Sequence, residues 1–327
     1  MAASRRGVTL LEMMIVLSLF SFMAYCVMSL VNSSMVLTAH SESWAGLTEW
    51  GQQGVNRISE DLPATRRIFN DDLRGNLYLA ALEPPVTHPV LGGIHLPITK
   101  DPGTFHADVV GAEQTGNCLL LCKQQPIFAT VLLSGVTRRV DVYTIVFFYP
   151  SPVARPMGPY ARSLILARWE SIEFADYGEL MSLTASDRAE VVSSLRTVRG
   201  VTWLWDVSKD PNQAFYGTNV FGIVDAVPTA TFKPPGASNQ NLIPHLGLGF
   251  ASLAWNRTNA TWIPQRVPMY AIANAVGDGF PHGFEVQVIG PTGSRTILLR
   301  LTLARYVQID RTMDAFTASA IANAREF

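Results

Sequence analysis

Between Val8 and Leu37, Glu12 is the only formally charged side chain, and it stands five positions past Gly7 in Arg5-Arg6-Gly7-Val8-Thr9-Leu10-Leu11-Glu12. The stretch contains neither proline nor glycine. An acid in so apolar a run costs roughly 2–3 kcal/mol at the centre of a bilayer and less toward its edge. Such a charge therefore calls for a cation. Arg5 and Arg6 lie across the glycine, and the apolar side offers none. Cleavage of the Gly7–Val8 bond would supply one, because Val8 would then carry a free α-amine, either for its own Glu12 or for a neighbour's. The residues thus point to ion pairing by Glu12, for which a cut between Gly7 and Val8 would provide the cation.

Other reactive residue types do not fall into patterns of comparable specificity. His40, His88, His95, His106, His245 and His282 include no i, i+4 pair and no HExxH, so a zinc hydrolase has no support. His95 and His106, with Asp101 or Asp108, could be drawn together around a metal, although exposed loop histidines are the plainer reading. There is no GxSxG and no strand–GxGxxG–helix pattern, and no catalytic residue is assigned. Gly277-Asp278-Gly279 could offer calcium carboxylate and carbonyl oxygens, but a turn is the ordinary role of such a triplet. No cofactor or metal is otherwise expected. Cys118 and Cys122 bracket three leucines that read as a strand. Four residues of strand span about 13 Å, beyond the ~7 Å reach of a disulfide, so these two are expected as buried thiols on one face. Trp203, Trp205, Trp255 and Trp262 read as core rather than as an exposed binding surface.

The elements that must position Glu12 follow from hydrophobic periodicity. The run from Val8 to Leu37 exceeds the about 20 apolar residues that cross a bilayer. The helix is expected to continue to Asp61, because Trp44, Leu47, Gly51, Val55, Ile58 and Leu62 recur at spacings of three and four. Glu42, Glu49, Gln52, Gln53, Asn56, Arg57 and Glu60 occupy the other side, and Pro63 ends or kinks the pattern. Apolar all round and then amphipathic, such a helix suits a chain that leaves a membrane and lies across a sheet. Strands are expected at 117–123, 127–133, 140–149, 164–174, 201–207, 220–227, 246–255, 284–289 and 296–307, with a hairpin loop at Pro291-Thr292-Gly293-Ser294. Residues 82–102 and 228–241 read as proline-rich loops, the second a possible break between sub-domains. Asp187–Arg196 reads as a short helix capped by Ser186, and the alanine-rich tail Ala315–Phe327 as a frayed helix.

The chain has 327 residues, 48% of them hydrophobic and 16% charged, with a formal net charge of −1. About 265 residues follow the helix, enough for one large domain or two small ones. The balance lacks the basic surplus of a nucleic-acid binder, and three cysteines are too few for a disulfide framework.

Basic leader, glycine, acid and apolar run together resemble the class III signal of type IV pilins and of the pseudopilins of type II secretion. The resemblance implies an α+β, pilin-like fold: leader 1–7, transmembrane helix 8–37, its amphipathic continuation 38–62, and a β-rich domain at 63–327 on an antiparallel sheet. It implies cleavage after Gly7 by a prepilin peptidase, methylation of the Val8 amine, and pairing of Glu12 with the amine of an adjacent subunit. Val8 departs from the usual phenylalanine, which bears on methylation more than on cleavage. The segment Glu60-Asp61-Leu62-Pro63-Ala64-Thr65-Arg66-Arg67 is similar to the helix end of larger minor pilins and J-type pseudopilins. So is the succession Gly116–Leu121, Val142–Val146 and Leu164–Arg168. Implied partners are the peptidase, other pilin or pseudopilin subunits and the bacterial inner membrane, with the leader cytoplasmic and the C-terminal domain periplasmic. No nucleic acid is implied. A membrane-anchored periplasmic enzyme or adhesin that uses the helix only as a tether is the other class to weigh, and a plain signal anchor explains neither Gly7 nor Glu12. In a strain carrying the peptidase, Gly7→Leu is expected to leave the leader attached. A mature mass equal to that of the wild type would remove the resemblance.

Overall fold

The computed structural model describes residues 9–82, 95–105, 115–153, 163–218, 252–253 and 283–326. Helix α1 runs unbroken from Leu10 to Asp61, 52 residues or about 78 Å at 1.5 Å per residue. A 3-10 turn, Leu62–Ala64, carries Pro63 and ends it, as expected of a residue that cannot continue the helical hydrogen-bond ladder. Then follow β1 (Thr65–Ile68), α2 (Leu73–Leu82), β2 (Leu119–Val131), β3 (Thr137–Val153), β4 (Ser163–Glu170) and β5 (Phe174–Asp176). Next come α3 (Tyr177–Met181), α4 (Ala185–Ser194), β6 (Trp203–Trp205), α5 (Pro211–Ala214) and β7 (Phe215–Gly217). The chain ends on β8 (Ser252–Leu253), β9 (Phe284–Ile289), β10 (Arg295–Val307) and β11 (Thr312–Ala324).

The described strands form two sheets. One runs β1-β2-β3-β5-β6-β7 with β4 also on β3; the other runs β11-β10-β8 with β9 also on β10. All named pairs are antiparallel except β5–β6. The fold is α+β, a long N-terminal helix laid on β-sheets. Alternation along β2 sorts its side chains between two cores. Leu119 and Leu121 join Leu47, Val55, Ile58 and Leu62 of the helix side, together with Val286, Leu299, Leu301 and Leu303 of the second sheet. Cys118, Leu120 and Cys122 face the other way, onto Phe69, Tyr78, Phe147 and Trp205. Both thiols are free and buried, as expected from the strand spacing, and burial pushes both well above the usual range for a thiol. A third core lies under α3 and α4, around Leu180, Val191, Val192 and Leu195.

The helix stripe is shifted from the expected one. Ser43 is buried and Trp44 is 47% exposed, its ring meeting only the edge of Phe316 at 6.4 Å. Gly51, Gly54 and Asp61 complete the buried face. The glycines allow the helix to approach the second sheet closely. A Cβ on Gly51 would lie 3.0 Å from both Ala318 Cβ and the Phe316 ring, and one on Gly54 would lie 2.6 Å from Leu301.

Several elements depart from expectation. The tail is a strand: β11 pairs with β10 from Thr312 to Ala324 without interruption. Alanine favours a helix in isolation, but here alternate residues Asp314, Ala318 and Ala324 are buried while Ser319, Ile321 and Asn323 are exposed, and a small side chain is what the close helix admits. Residues 127–133 are not a separate strand, because β2 passes through Pro126 with a bulge between Gln125 and Phe128. The 164–174 segment divides into β4 and β5, and α4 is capped by Thr184 rather than Ser186. Helix α2 was not expected. The strands at 220–227, most of 246–255 and the loop at 228–241 lie outside the described residues, whereas β9, β10 and the hairpin loop between them follow expectation.

Asp61, the last residue of α1, is fastened to the sheet by two cations: Lys123 Nζ of β2 at 2.6 Å and Arg168 Nε of β4 at 2.8 Å. Arg168 also reaches Glu170 at 2.8 Å. Burial pushes the Asp61 carboxyl up, but hydrogen bonds from Arg168 and Lys123 outweigh it and hold the group below the usual aspartate range. A depressed carboxylate contributes stability above its unfolded pKa, about 3.9, and loses it as the pH falls through the folded value. Asp61→Ala takes one of two carboxylate partners from the buried Arg168, which costs about 3 kcal/mol, the low end for a broken buried pair. At 2–4 °C per kcal/mol for a domain of this size, melting in detergent at neutral pH is expected to fall by roughly 10 °C. A shift within about 2 °C would show that the pair does not fasten the helix end.

Candidate functional site

Of the three residues singled out at the N-terminus, Gly7 and Val8 lie outside the described residues and Glu12 lies in the first turn of α1. Thr9 is the N-cap, in an extended conformation, and Thr9 and Glu12 form a capping box. The Glu12 N–H donates to Thr9 Oγ1 at 3.3 Å, while Glu12 Oε2 accepts from the Thr9 N–H at 2.9 Å and from Thr9 Oγ1 at 3.0 Å. Such a box satisfies two of the donors that a helix start leaves unpaired, and an acid at this end also complements the helix dipole. The Thr-x-x-Glu spacing that carries it was present in the sequence and its capping role was not read there. Glu12 Oε2 is engaged within its own chain; Glu12 itself is exposed.

Every residue from Thr9 to Met35 is exposed. This half of α1 is long and apolar enough to cross a membrane by length and composition, which fits a membrane anchor. No described part of its own chain covers it. The first buried residue of α1 is Ser43. Just before it, His40 sits between Asp310 and Asp314 at the β10–β11 turn, a contact that the search for histidine pairs could not find because both partners lie about 270 residues away.

The remaining expected sites are dispersed. The His95 carbonyl accepts from Cys118 Sγ at 3.3 Å, and His95 N–H donates to Asn117 at 2.8 Å, so the backbone of His95 serves the β2 entry. His106, Asp108 and Gly277-Asp278-Gly279 lie outside the described residues. Trp205 is buried, with Nε1 donating to Tyr78 at 3.0 Å, as expected of core, and Trp203 is half-buried; Trp255 and Trp262 lie outside. Among the described residues no group of three His, Cys, Asp or Glu side chains is placed to hold a metal ion.

A cavity of about 310 Å³ opens beside β1, lined in part by Arg66, Arg67, Asn70, Asp72, Arg295 and Glu326. Its charged groups work on the fold itself. Glu326 accepts from the Ile68 N–H and from Arg295 Nε at 2.9 Å, tying the chain end to β1. Arg66 binds Asp141 at 2.9 Å, and Arg67 lies over the rings of Phe69 and Tyr78. Neither a nucleophile beside a base nor a general acid–base pair is placed among these lining residues.

Residues 3–24 match the family model described as the prokaryotic N-terminal methylation motif. No curated protein and no solved structure matches the chain. The matched residues contain Gly7 and Val8 as well as Thr9 and Glu12, and the last two form the cap of the helix start. The match, together with the uncovered apolar helix, supports a type IV pilin-like protein that a prepilin peptidase processes.

Proposed function

We propose that the chain is a minor pilin or pseudopilin, a structural subunit of a type IV pilus or a type II secretion pseudopilus. One observation carries the reading: a single continuous helix is embedded in its own sheets over one half and left bare over the other. A bare apolar helix of this length needs a bilayer or a bundle of like helices around it, and a subunit that moves from membrane to filament uses each in turn. The subunit first rests in the inner membrane, with its β-sheet domain in the periplasm. Cleavage after Gly7 frees the Val8 amine, which is then methylated. On assembly that amine neutralises Glu12 of an adjacent subunit, removing the one charge that opposes helix packing. The Oε1 oxygen, which takes no part in the capping box, remains available to accept from the incoming ammonium. With 327 residues the subunit is large for a component present in many copies, which favours a low-copy role in priming or at the tip.

Two substitutions separate the cap from the charge. Glu12→Gln keeps an oxygen that accepts from Thr9 but removes the negative charge, whereas Glu12→Ala removes both. Both variants are expected to be processed to the mature mass. Both are expected to fall about tenfold or more in sheared filaments, the counterpart of losing roughly 1.4 kcal/mol per contact. Incorporation of Glu12→Gln at the wild-type level would reject the charge pairing and leave only the cap. Incorporation of both variants at that level would reject Glu12 as an assembly contact.

A further inference from the structure

His40 is held from both sides. Its Nε2 lies 2.7 Å from Asp310 Oδ2, and its Nδ1 lies 2.9 Å from Asp314 Oδ1 and 3.1 Å from Asp314 Oδ2. Ionised carboxylates only accept hydrogen bonds, and a neutral imidazole donates from one ring nitrogen alone. Both contacts are therefore satisfied together only when both nitrogens carry hydrogen, so the ring is an imidazolium. Asp310 belongs to the turn between β10 and β11, and Asp314, which is buried, opens β11. The turn is built for this position. Arg311 takes a left-handed conformation at φ 60°, and Asp310 Oδ1 accepts from the N–H and the hydroxyl of Thr312. The charged side chains within two residues of these three, or paired with them across the strands, are Arg305 of β10, Arg311 of the turn and Glu42 of the helix. Arg305 is the cross-strand neighbour of Asp314, and its guanidinium passes close to Gly46 of the helix. Arg311 and Glu42 are exposed.

The position of this contact on the helix gives it leverage. Up to Met35 every described residue of the helix is exposed, and from Ser43 onward one face of it is buried against the sheets. His40 is thus the first polar anchor met along α1. We propose that His40 is a proton-dependent latch: as an imidazolium bridging Asp310 and Asp314 it pins the β10–β11 turn to the helix where the docked half begins, and on losing its proton it releases one of the two carboxylates. The contact's surroundings agree. Hydrogen bonds from Asp310 and then Asp314 raise the His40 pKa above the ordinary histidine value, and the His40 contact lowers that of Asp310. The sign follows. A raised histidine contributes fully below its unfolded value of about 6.5 and is lost as the pH rises through the folded value. The depressed Asp310 contributes above its unfolded value of about 3.9 and is lost only as the pH falls through a lower one. The latch is closed in mildly acidic solution and opens toward alkaline pH. Opening shortens the docked length of α1 and gives the bare half more freedom to change its angle to the sheets. The inference concerns the folded chain alone and stands whether or not the chain assembles into filaments.

Hydrogen exchange read by mass spectrometry tests it, on the full chain in detergent micelles at pH 5.5 and 8.5, corrected for intrinsic exchange. In the wild type, protection of peptides covering 38–45 and 306–316 is expected to fall about tenfold at the higher pH, as when a charge-assisted bond is lost. Peptides in β2 and β3 should not change. In His40→Gln, which donates and accepts without titrating, the step is expected to vanish while β2 and β3 stay protected. Asp314→Asn, which keeps the size of the side chain, should shrink the step. Equal wild-type protection at the two pH values overturns the latch, and so does a step of the same size in folded His40→Gln. Should His40→Gln lose its β2 and β3 protection, the wild-type step and its reduction in Asp314→Asn decide.

Discussion

The close approach of the second half of α1 to the second sheet, over a core shared with the first, is the constraint on which the architecture rests. The two sheets are separate ladders, and among the described residues the segments ahead of β2 meet β9 in single bridges, Lys100 to Ile289 and Gly116 to Val286. What unites them is one apolar core under the helix, drawn from β2, β3 and β4 on one side and from β9, β10 and β11 on the other. A helix can serve as the spine of two sheets only if it lies deep between their side chains. Gly51 and Gly54 permit that depth on the helix, and Ala318 permits it on β11. Close packing of this kind tolerates little change of volume.

Three polar contacts are spaced along the same helix, each with a different task. Asp61 ties the far end to β2 and β4 through Lys123 and Arg168, in surroundings dry enough for a buried pair to hold its partners in place. His40 marks the near limit of the docked half. Glu12, by contrast, closes the helix start on Thr9 without any contact to the sheets. Between Glu12 and Met35 every residue of the helix is exposed, and the backbone hydrogen bonds run within the segment, as in every single-span helix. A chain so divided packs one half of its helix on its own fold and leaves the other half exposed and apolar, as a membrane anchor requires. This division, rather than any arrangement of reactive groups, supports a structural role.

Much of this was readable in residue order. The apolar run, Glu12, the continuation of the helix past Leu37 and its end at Pro63 are local properties, set by side chains within a turn or two of each other, and the helix followed them. The burial of Cys118 and Cys122 on one face followed from strand spacing alone. Trp44 and the tail did not follow. Ser43 replaces Trp44 on the buried stripe because the sheet surface, not the helix period, sets the rotation of the docked half within one residue. The tail becomes a strand because thirteen paired residues on β10 outweigh the few tenths of a kcal/mol per residue by which alanine favours a helix.

The same division separates the functional residues. Residue types and spacing alone determined that a glycine follows two arginines, that an acid stands five positions later and that a span of helix is able to cross a membrane, because each is encoded within a dozen or so neighbouring positions. They also placed Asp61 and Arg168 in two short segments similar to larger minor pilins, without any means of pairing them. Folding brought these two within hydrogen-bond distance, set His40 between two aspartates about 270 residues away, and laid the tail along the helix. Such contacts depend on which surfaces meet once the apolar faces of helix and sheets are buried together, and no local periodicity records that.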